Sequence, residues 1–161
     1  MKGKIALERA EKVAKRIIDS LSPHCQKIEV AGSIRRRRPW VNDIDIVLAP
    51  NNDLWSFHNE VMKLGKVKIS GSKILRIEYG DIQVDFYIAT PETWATLLLI
   101  RTGSAENNIR LAKIAKEKGW RLHASGEGLF NELGDRIAGN TEESIYQALS
   151  LPYQKPVDRE V

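Results

Sequence analysis

The 161-residue sequence predicts an α+β fold with a sheet-based part followed by a mostly helical part that contains a β-hairpin. Helical periodicity near the N-terminus gives way to short segments in which apolar and polar residues alternate. After residue 90, signals that start and end helices dominate. The sequence therefore predicts one domain over residues 1–90 and a second over residues 91–161.

The first part begins with an amphipathic helix over about residues 4–21, because apolar residues recur there at three- and four-residue steps and Ser22-Pro23 follows. A second helix is expected at residues 54–64. Most of the remaining segments alternate apolar and polar residues or are rich in β-branched residues. They predict strands at residues 27–31, 42–49, 67–69, 74–79 and 82–88.

The second part begins at Thr90-Pro91-Glu92, which offers a capping hydroxyl and a proline at the first helical position. Its helices are separated by glycines, which commonly end helices. The elements expected in order are a helix to about Arg101 that ends at Gly103, a helix from the Ser104 cap to Gly119, a hairpin over residues 120–130, and a short helix that Thr141 opens.

The composition is that of an ordinary globular chain with a basic bias. The net charge is +4, with 42% hydrophobic and 29% charged residues. Residues 1–50 carry eleven Lys and Arg against six Asp and Glu, and residues 101–120 carry five against two. Two such zones favour a polyanionic partner such as nucleic acid, although a solvated basic surface gives the same pattern.

The sequence excludes several classes of protein. The single cysteine, Cys25, cannot form an internal disulfide, and the scattered histidines do not make a zinc motif. No secretory signal follows the N-terminus, and the longest aliphatic run, residues 97–100, is too short to span a bilayer. We therefore expect a soluble intracellular protein of the cytoplasm or nucleoid, monomeric and without a membrane partner.

Three aspartates provide the main chemical signal. Asp43 and Asp45 lie two apart in a predicted strand, so their side chains are expected on one face. Asp85 lies on another alternating strand, and the three converge if the two strands are neighbours. Clustered carboxylates repel one another unless a divalent cation such as Mg²⁺ binds them. An Asp-x-Asp alone more often marks surface aspartates.

A candidate phosphate-binding element precedes the aspartates. Gly32-Ser33 lies between a predicted strand and an expected helical turn, where backbone N–H groups and a hydroxyl can hold phosphate. Arg35 and Arg36 follow and supply positive charge for a triphosphate. Gly-Ser alone is an ordinary turn more often. Joined to the three aspartates, the series indicates a nucleotide site.

This series resembles the nucleotidyltransferase superfamily that includes polymerase beta, and the second half resembles the family X DNA polymerases. The motifs that carry the second resemblance are Thr102-Gly103-Ser104, Asn108, Arg110, Glu117-Lys118-Gly119, Gly128-Leu129-Phe130, Thr141 to Tyr146, and Leu151-Pro152-Tyr153 with Pro156 and Arg159-Glu160. The resemblance covers nearly the whole chain. It implies a catalytic palm, a mixed sheet with helices on one face, at residues 1–90, and at residues 91–161 a subdomain that closes on nucleotide and template.

The resemblance also implies a reaction, its partners and its residues. The reaction is template-directed addition of dNTPs to a primer 3′-hydroxyl by two-metal phosphoryl transfer, in short-gap filling during DNA repair or end joining. Primer–template or gapped DNA and a dNTP are the implied partners. Two Mg²⁺ ions, which Mn²⁺ can replace, are implied at the catalytic Asp43, Asp45 and Asp85.

The resemblance also implies contact residues. The implied nucleotide contacts are Gly32, Ser33, Arg36, Ile100, Arg101, Gly103, Ser104 and Asn108. The implied DNA contacts are Arg35, Arg37, Arg38, Arg110 and Lys113.

The sequence departs from the family pattern in three places. No lyase domain or helix-hairpin-helix region precedes the first helix, so lyase activity is not expected. An aromatic pair that helps to reject ribonucleotides is replaced by Ile100-Arg101, and an arginine that helps to check the template base is replaced by Ala112. Sugar selectivity and fidelity are therefore left open.

Two other functions fit part of the pattern. A minimal nucleotidyltransferase that modifies RNA ends or proteins would share Gly-Ser and Asp-x-Asp, but not the motifs between Thr102 and Arg110. A non-catalytic nucleic-acid binding module would use Arg35 to Arg38 as a phosphate clamp. The aspartates argue against a pure binder, because they repel phosphate unless a metal is bound.

Overall fold

The computed structural model describes residues 3–160. The chain divides into two compact units, Met1–Ala89 and Thr90–Val161, which are called the first and second unit below. Each unit has a hydrophobic core of its own. Helices combine with a mixed sheet, which confirms the predicted fold class.

The first unit contains seven strands and three helices in its described part. Its strands are β1 (Ile5–Ala6), β2 (Cys25–Val30), β3 (Trp40–Val41), β4 (Ile44–Pro50), β5 (Lys66–Ser70), β6 (Ile74–Tyr79) and β7 (Ile82–Ile88). Its helices are α1 (Leu7–Leu21), α2 (Gly32–Arg35) and α3 (Leu54–Leu64), with a 3-10 turn at Ser22–His24.

The main sheet of the first unit has the strand order β2-β4-β7-β6-β5. The central pair, β4 and β7, is parallel, and the other pairs are antiparallel. Strands β1 and β3 form a separate two-stranded sheet. Because β4 and β7 are neighbours, residues far apart in sequence lie side by side at the centre of the sheet.

The core of the first unit explains which face of the sheet stays polar. Ile44, Ile46 and Phe86 are fully buried in one cluster with Ile17 of α1 and Phe57 of α3. Side chains alternate along a strand, so burial of these residues directs their sequence neighbours to the opposite face. Helix α1 presents one apolar stripe and ends at the 3-10 turn that contains Pro23. Packing of their apolar faces against this core therefore explains why α1 and α3 form where the sequence predicted helices.

Two details of the first unit differ from the sequence prediction. The predicted strand at 42–49 begins at Ile44, and Asp43 lies in a bend just before it. The placement of Asp43 on that strand was therefore wrong, because Trp40–Val41 pairs with β1 and the chain must turn between β3 and β4. Helix α1 begins later than predicted for the same reason, since Ile5–Ala6 is drawn into the pair with β3.

The second unit contains three helices and a three-stranded antiparallel sheet in its described part. Its elements are α4 (Trp94–Thr102), α5 (Ala105–Glu117), β8 (Arg121–His123), β9 (Gly128–Phe130), β10 (Arg136–Ala138) and α6 (Glu142–Ala148), with a 3-10 turn at Pro156–Asp158. Leu99, Leu111, Leu129 and Tyr146 are fully buried in its core. No helix within residues 3–160 combines the length and apolar character needed to cross a membrane.

Helix caps in the second unit were predicted with mixed success. Ser104 accepts from the backbone N–H of Asn107 at 3.2 Å and caps α5, and Thr141 caps α6, both as predicted. Helix α4, however, begins at Trp94 and not at Pro91. The prediction failed because Thr90 and Thr93 form a turn in which Thr90 N donates to Thr93 Oγ1 at 2.9 Å. The predicted hairpin also gains a third strand, β10.

Candidate active site

Asp45 and Asp85 lie directly opposite each other on the parallel strands β4 and β7. Their flanking residues, among them Ile44 and Val84, are fully buried, so packing directs both carboxylates to the other face of the sheet. Asp85 is 5% exposed, and Asp45 is half-buried. Strand order and register therefore bring together two carboxylates that are forty positions apart in the sequence.

Arg76 of β6 holds the carboxylate of Asp85 with two hydrogen bonds. Its Nε donates to Asp85 Oδ1 at 2.7 Å, and its Nη2 donates to Oδ2 at 3.3 Å. Gln83 Nε2 also donates to Oδ2, at 3.3 Å. A bidentate arginine is a strong partner for a carboxylate. Asp85 is thus a buried acid whose charge is compensated from the neighbouring strand.

Arg76 was missed as a site residue, although the sequence contains a signal for it. Gly80 and Asp81 form the turn between β6 and β7, so Tyr79 pairs with Ile82. In an antiparallel hairpin, the two residue numbers of each pair have a constant sum. The same register therefore places Arg76 opposite Asp85. Treating the two predicted strands as one hairpin would have found this pair.

Asp43 lies outside this register pair, in the bend before β4, and is half-buried. It is nevertheless near enough to act on Arg76. The hydrogen bond to Asp85 and the charge of Asp85 raise the pKa of Arg76 above its ordinary value, and the charge of Asp43 adds to that effect. Within residues 3–160, however, no three Asp, Glu, His or Cys side chains form a group that could hold a metal ion. The structure therefore pairs Asp45 with Asp85 and leaves Asp43 beside them.

Asp45 has a second close neighbour in Gly32. Gly32 has φ +59°, and a Cβ atom added to it would lie 2.3 Å from Asp45 Oδ2. The backbone N–H of Ala31 donates to the Asp45 carbonyl oxygen at 2.8 Å, which fixes this approach. Tyr87 O–H donates a long bond of 3.4 Å to Asp45 Oδ1. The positive φ favours glycine at position 32, and a larger residue there would displace the carboxylate of Asp45.

The predicted phosphate-binding residues lie on the short helix α2 and just after it. Gly32 is buried, and Ser33 and Arg36 are half-buried. The backbone N–H of Arg36 donates to the Gly32 carbonyl oxygen at 3.1 Å, and that of Arg38 donates to the Ser33 carbonyl oxygen at 3.0 Å. These bonds give the turn a defined shape beside Asp45, and Arg38 is exposed after it.

Two arginines that were predicted to bind DNA have partners within the first unit. The Arg35 side chain is 15% exposed, and its Nε lies 3.8 Å from Glu29 Oε1. Arg37 Nη1 donates to Glu11 Oε2 at 2.8 Å at the surface. An exposed pair of this kind is weak and can yield to a phosphate group. Burial makes Arg35 the less available of the two.

In the second unit, the predicted nucleotide-binding turn at Gly103 and Ser104 is held by the C-terminal segment. The peptide bond between these two residues is cis. Ser104 N donates to the carbonyl oxygen of Arg159 at 2.7 Å, and Ser104 Oγ donates to that of Glu160 at 2.7 Å. The resemblance pointed to Arg159-Glu160 as a motif, but their contact with Ser104 was not predicted, since no local pattern links positions so far apart.

Two polar residues of α5 that were predicted as nucleotide or DNA contacts are bound within the second unit. Asn108 Nδ2 donates to the carbonyl oxygen of Ile100 at 2.8 Å. Arg110 Nη2 donates to Asn107 Oδ1 at 3.3 Å and to Gln154 Oε1. Both side chains are half-buried. The remaining predicted contacts of this unit that carry a charge are exposed, namely Arg101 and Lys113.

The sequence of this chain is similar to a known protein family and to a known protein. Residues 97–160 match the family described as DNA polymerase beta thumb. The chain is 34% identical over 160 residues to the DNA polymerase/3′-5′ exonuclease PolX of Bacillus subtilis (strain 168), in a match that covers 94% of this chain. The chain spans 28% of the length of that relative.

Solved structures show the same fold. The structure of Leishmania infantum polymerase beta described as a ternary P/T complex matches with a TM-score of 0.83 at 20% identity, over 99% of this chain and 77% of that one. The structure described as a ternary gap complex matches with a TM-score of 0.84 at 19% identity, over 99% and 71% of the two chains. The thumb match, the sequence relative and the shared fold together support the predicted resemblance to the family X DNA polymerases.

Proposed function

We propose that this chain is a template-directed DNA polymerase that adds dNTPs to a primer 3′-hydroxyl and fills short gaps during repair or end joining. The observation that carries the proposal is the pairing of Asp45 with Asp85 at one register position, in a chain whose residues 97–160 match a polymerase thumb. A minimal nucleotidyltransferase of RNA ends or proteins would share the aspartates, but it has no need of a thumb.

The residue types around Asp45 and Asp85 fit magnesium. Carboxylate oxygens are ligands that Mg²⁺ prefers, and two of them already share a register position with Asp43 beside them. Once their side chains come closer together than they lie in the structure, Asp43, Asp45 and Asp85 would hold two Mg²⁺ ions, which Mn²⁺ can replace. Bound magnesium stabilises the negative charge that develops on the transferred phosphoryl group and on pyrophosphate.

The protein's own residues would then position the reactants. The 3′-oxygen of the primer bonds to the α-phosphorus of the dNTP while the bond to pyrophosphate breaks, and the hydroxyl proton passes to a carboxylate oxygen of Asp85. In the first unit, the backbone of Gly32-Ser33 and the charge of Arg36 would hold the triphosphate. In the second unit, the turn at Gly103-Ser104 would pack against the incoming nucleotide, and Lys113 would bind template phosphate.

A gap-filling assay tests this function directly. The full chain is given a duplex with a single-nucleotide gap, Mg²⁺, and each dNTP or rNTP in turn. Wild type should insert the dNTP that pairs with the template base. Asp85→Asn should lose about 1000-fold in rate, because a lost metal ligand costs several kcal/mol of charge stabilisation. Asp81→Asn is the control, since the Asp81 side chain is 86% exposed on the turn before the same strand.

The outcomes separate the candidate functions. No insertion by wild type, or full activity in Asp85→Asn, would refute the polymerase. Untemplated transfer to RNA would support the minimal nucleotidyltransferase instead. The ratio of dNTP to rNTP insertion reports how Ile100-Arg101 affects sugar selection, and insertion of mispaired dNTPs reports the effect of Ala112.

A further inference from the structure

We propose that Arg76 is a positioning residue for Asp85 that competes with divalent cations for the same carboxylate. This inference rests on the proposed function, because it assumes that Asp85 is a metal ligand. In the structure, both oxygens of Asp85 accept hydrogen bonds from Arg76. Arg76 and a cation bound at Asp85 would therefore draw on the negative charge of the same two oxygens.

The unequal burial of the two side chains allows Arg76 to release Asp85. The Asp85 side chain is 6% exposed, whereas that of Arg76 is 34% exposed. Leu75 and Ile77, on either side of Arg76, are buried in the core and anchor the strand. The guanidinium can thus rotate toward solvent on its flexible stem without any change in the backbone. Asp85 has no comparable route to water.

Charge explains why the two partners of Asp85 exclude each other. An ionised carboxylate that is buried is strongly unfavourable without a positive partner, so either Arg76 or a bound cation stabilises the charge of Asp85. Arg76 provides the positive charge in the structure, and it also lies within range of the charge of Asp43. A cation held by the same aspartates would repel the guanidinium. Arg76 therefore stabilises the protein without metal and weakens metal binding at the same carboxylate.

Measurements of metal binding and thermal stability, made without DNA or nucleotide, test whether Arg76 and a divalent cation compete for Asp85. Arg76→Met removes the charge and keeps an apolar stem, and Arg76→Lys restores the charge. The control is Arg9→Met, because the ion pair of Arg9 with Asp81 is exposed, with side-chain exposures of 61% and 86%. For each protein, the Mn²⁺ dissociation constant and the melting temperature in EDTA and in Mg²⁺ are measured.

The expected result is a stability that depends on metal only when Arg76 is absent. In EDTA, Arg76→Met should melt about 5 °C or more below wild type, and Mg²⁺ should recover most of that loss. It should also bind Mn²⁺ about tenfold more tightly than wild type. Arg76→Lys should lie between the two, and Arg9→Met should match wild type.

Two results would overturn the proposal. One is an unchanged Mn²⁺ affinity in Arg76→Met; the other is an equal loss of melting temperature in EDTA and in Mg²⁺, which would show a purely structural role. If Arg76→Met folds only with metal present, Arg76→Gln, which keeps a donor, is tested for the same two shifts. If wild type and every Arg76 variant bind Mn²⁺ no more tightly than Asp85→Asn does, the metal ligands of the proposed function are refuted instead.

Discussion

The two units each contain a buried acidic side chain paired with arginine, and the two pairs differ in how they are enclosed. In the first unit, Asp85 is buried and Arg76 is one-third exposed. In the second unit, Arg159 is 0% exposed, and its Nη1 donates to Glu142 Oε1 at 3.0 Å. The pair in the first unit is therefore open on its cationic side, and the pair in the second unit is closed on both sides.

The closed pair has partners on every side of the guanidinium. Arg159 Nε donates to the Gln154 carbonyl oxygen at 2.9 Å, and Nη2 donates to Tyr153 Oη at 3.2 Å. The rings of Tyr146 and Tyr153 lie 5.6 and 5.4 Å from its central carbon. A fully satisfied buried pair of this kind fixes one structure. The comparison indicates that an enclosed ion pair such as Glu142–Arg159 stabilises the fold. An ion pair whose arginine reaches water, such as Asp85–Arg76, can give up the arginine to another cation.

The largest expected effect is on the closed pair. Arg159→Met should lower the free energy of unfolding of the second unit by about 3–5 kcal/mol, because Glu142 is left buried and unpaired. Hydrogen exchange of core amides in α5 and α6 measures this unit separately. Arg9→Met, which breaks only an exposed pair, should change the free energy of unfolding of its own unit, the first, by less than about 1 kcal/mol. If Arg159→Met lowers the free energy of unfolding of the second unit by less than about 1 kcal/mol, the enclosed pair stabilises its unit no more than an exposed pair does.

A smaller effect is expected around Asp45, the other carboxylate of the register pair. Gly32→Ala and Gly80→Ala should each cost about 1–2 kcal/mol, since both glycines have positive φ, +59° and +62°. Only at Gly32 would the new methyl group meet Asp45. Gap filling should therefore fall about 100-fold in Gly32→Ala and stay near wild type in Gly80→Ala. Equal rates in the two variants would show that Asp45 tolerates displacement.

The smallest effect is expected where the C-terminal segment meets the predicted nucleotide-binding turn. Ser104→Ala removes the α5 cap and the bond to the Glu160 carbonyl oxygen, and it should cost about 1 kcal/mol. Asp53→Ala removes the cap of α3 in the first unit, which contains neither Arg159 nor its partners, so it serves as the control. In the Arg159→Met background, the cost of Ser104→Ala should shrink by at least about 0.5 kcal/mol, because the segment is already loosened. If the stability losses of Ser104→Ala and Arg159→Met are additive, the Glu142–Arg159 pair does not stabilise the turn at Gly103-Ser104.

Local pattern accounts for a good part of the candidate site. Period-2 alternation placed Asp45 and Asp85 on polar faces of their strands, since the apolar residues between them must be buried. The Ser104 cap was predicted from a hydroxyl that follows a helix-ending glycine. Local pattern failed at Asp43 and at Thr90, where a competing bond changed the structure: the β1–β3 pair in one case and the bond between Thr90 and Thr93 in the other.

The amino-acid order alone thus determined the class of fold, most of the helices and strands, and the face on which two of the aspartates lie. These features depend on the burial of apolar side chains within one element, which a short window of sequence records. The tertiary structure decided that β4 lies beside β7, that Arg76 holds Asp85, and that Arg159 is enclosed near the C-terminus. Such pairings depend on strand order and on packing between segments that are far apart in the sequence. A short window of sequence does not contain both partners and therefore does not record them.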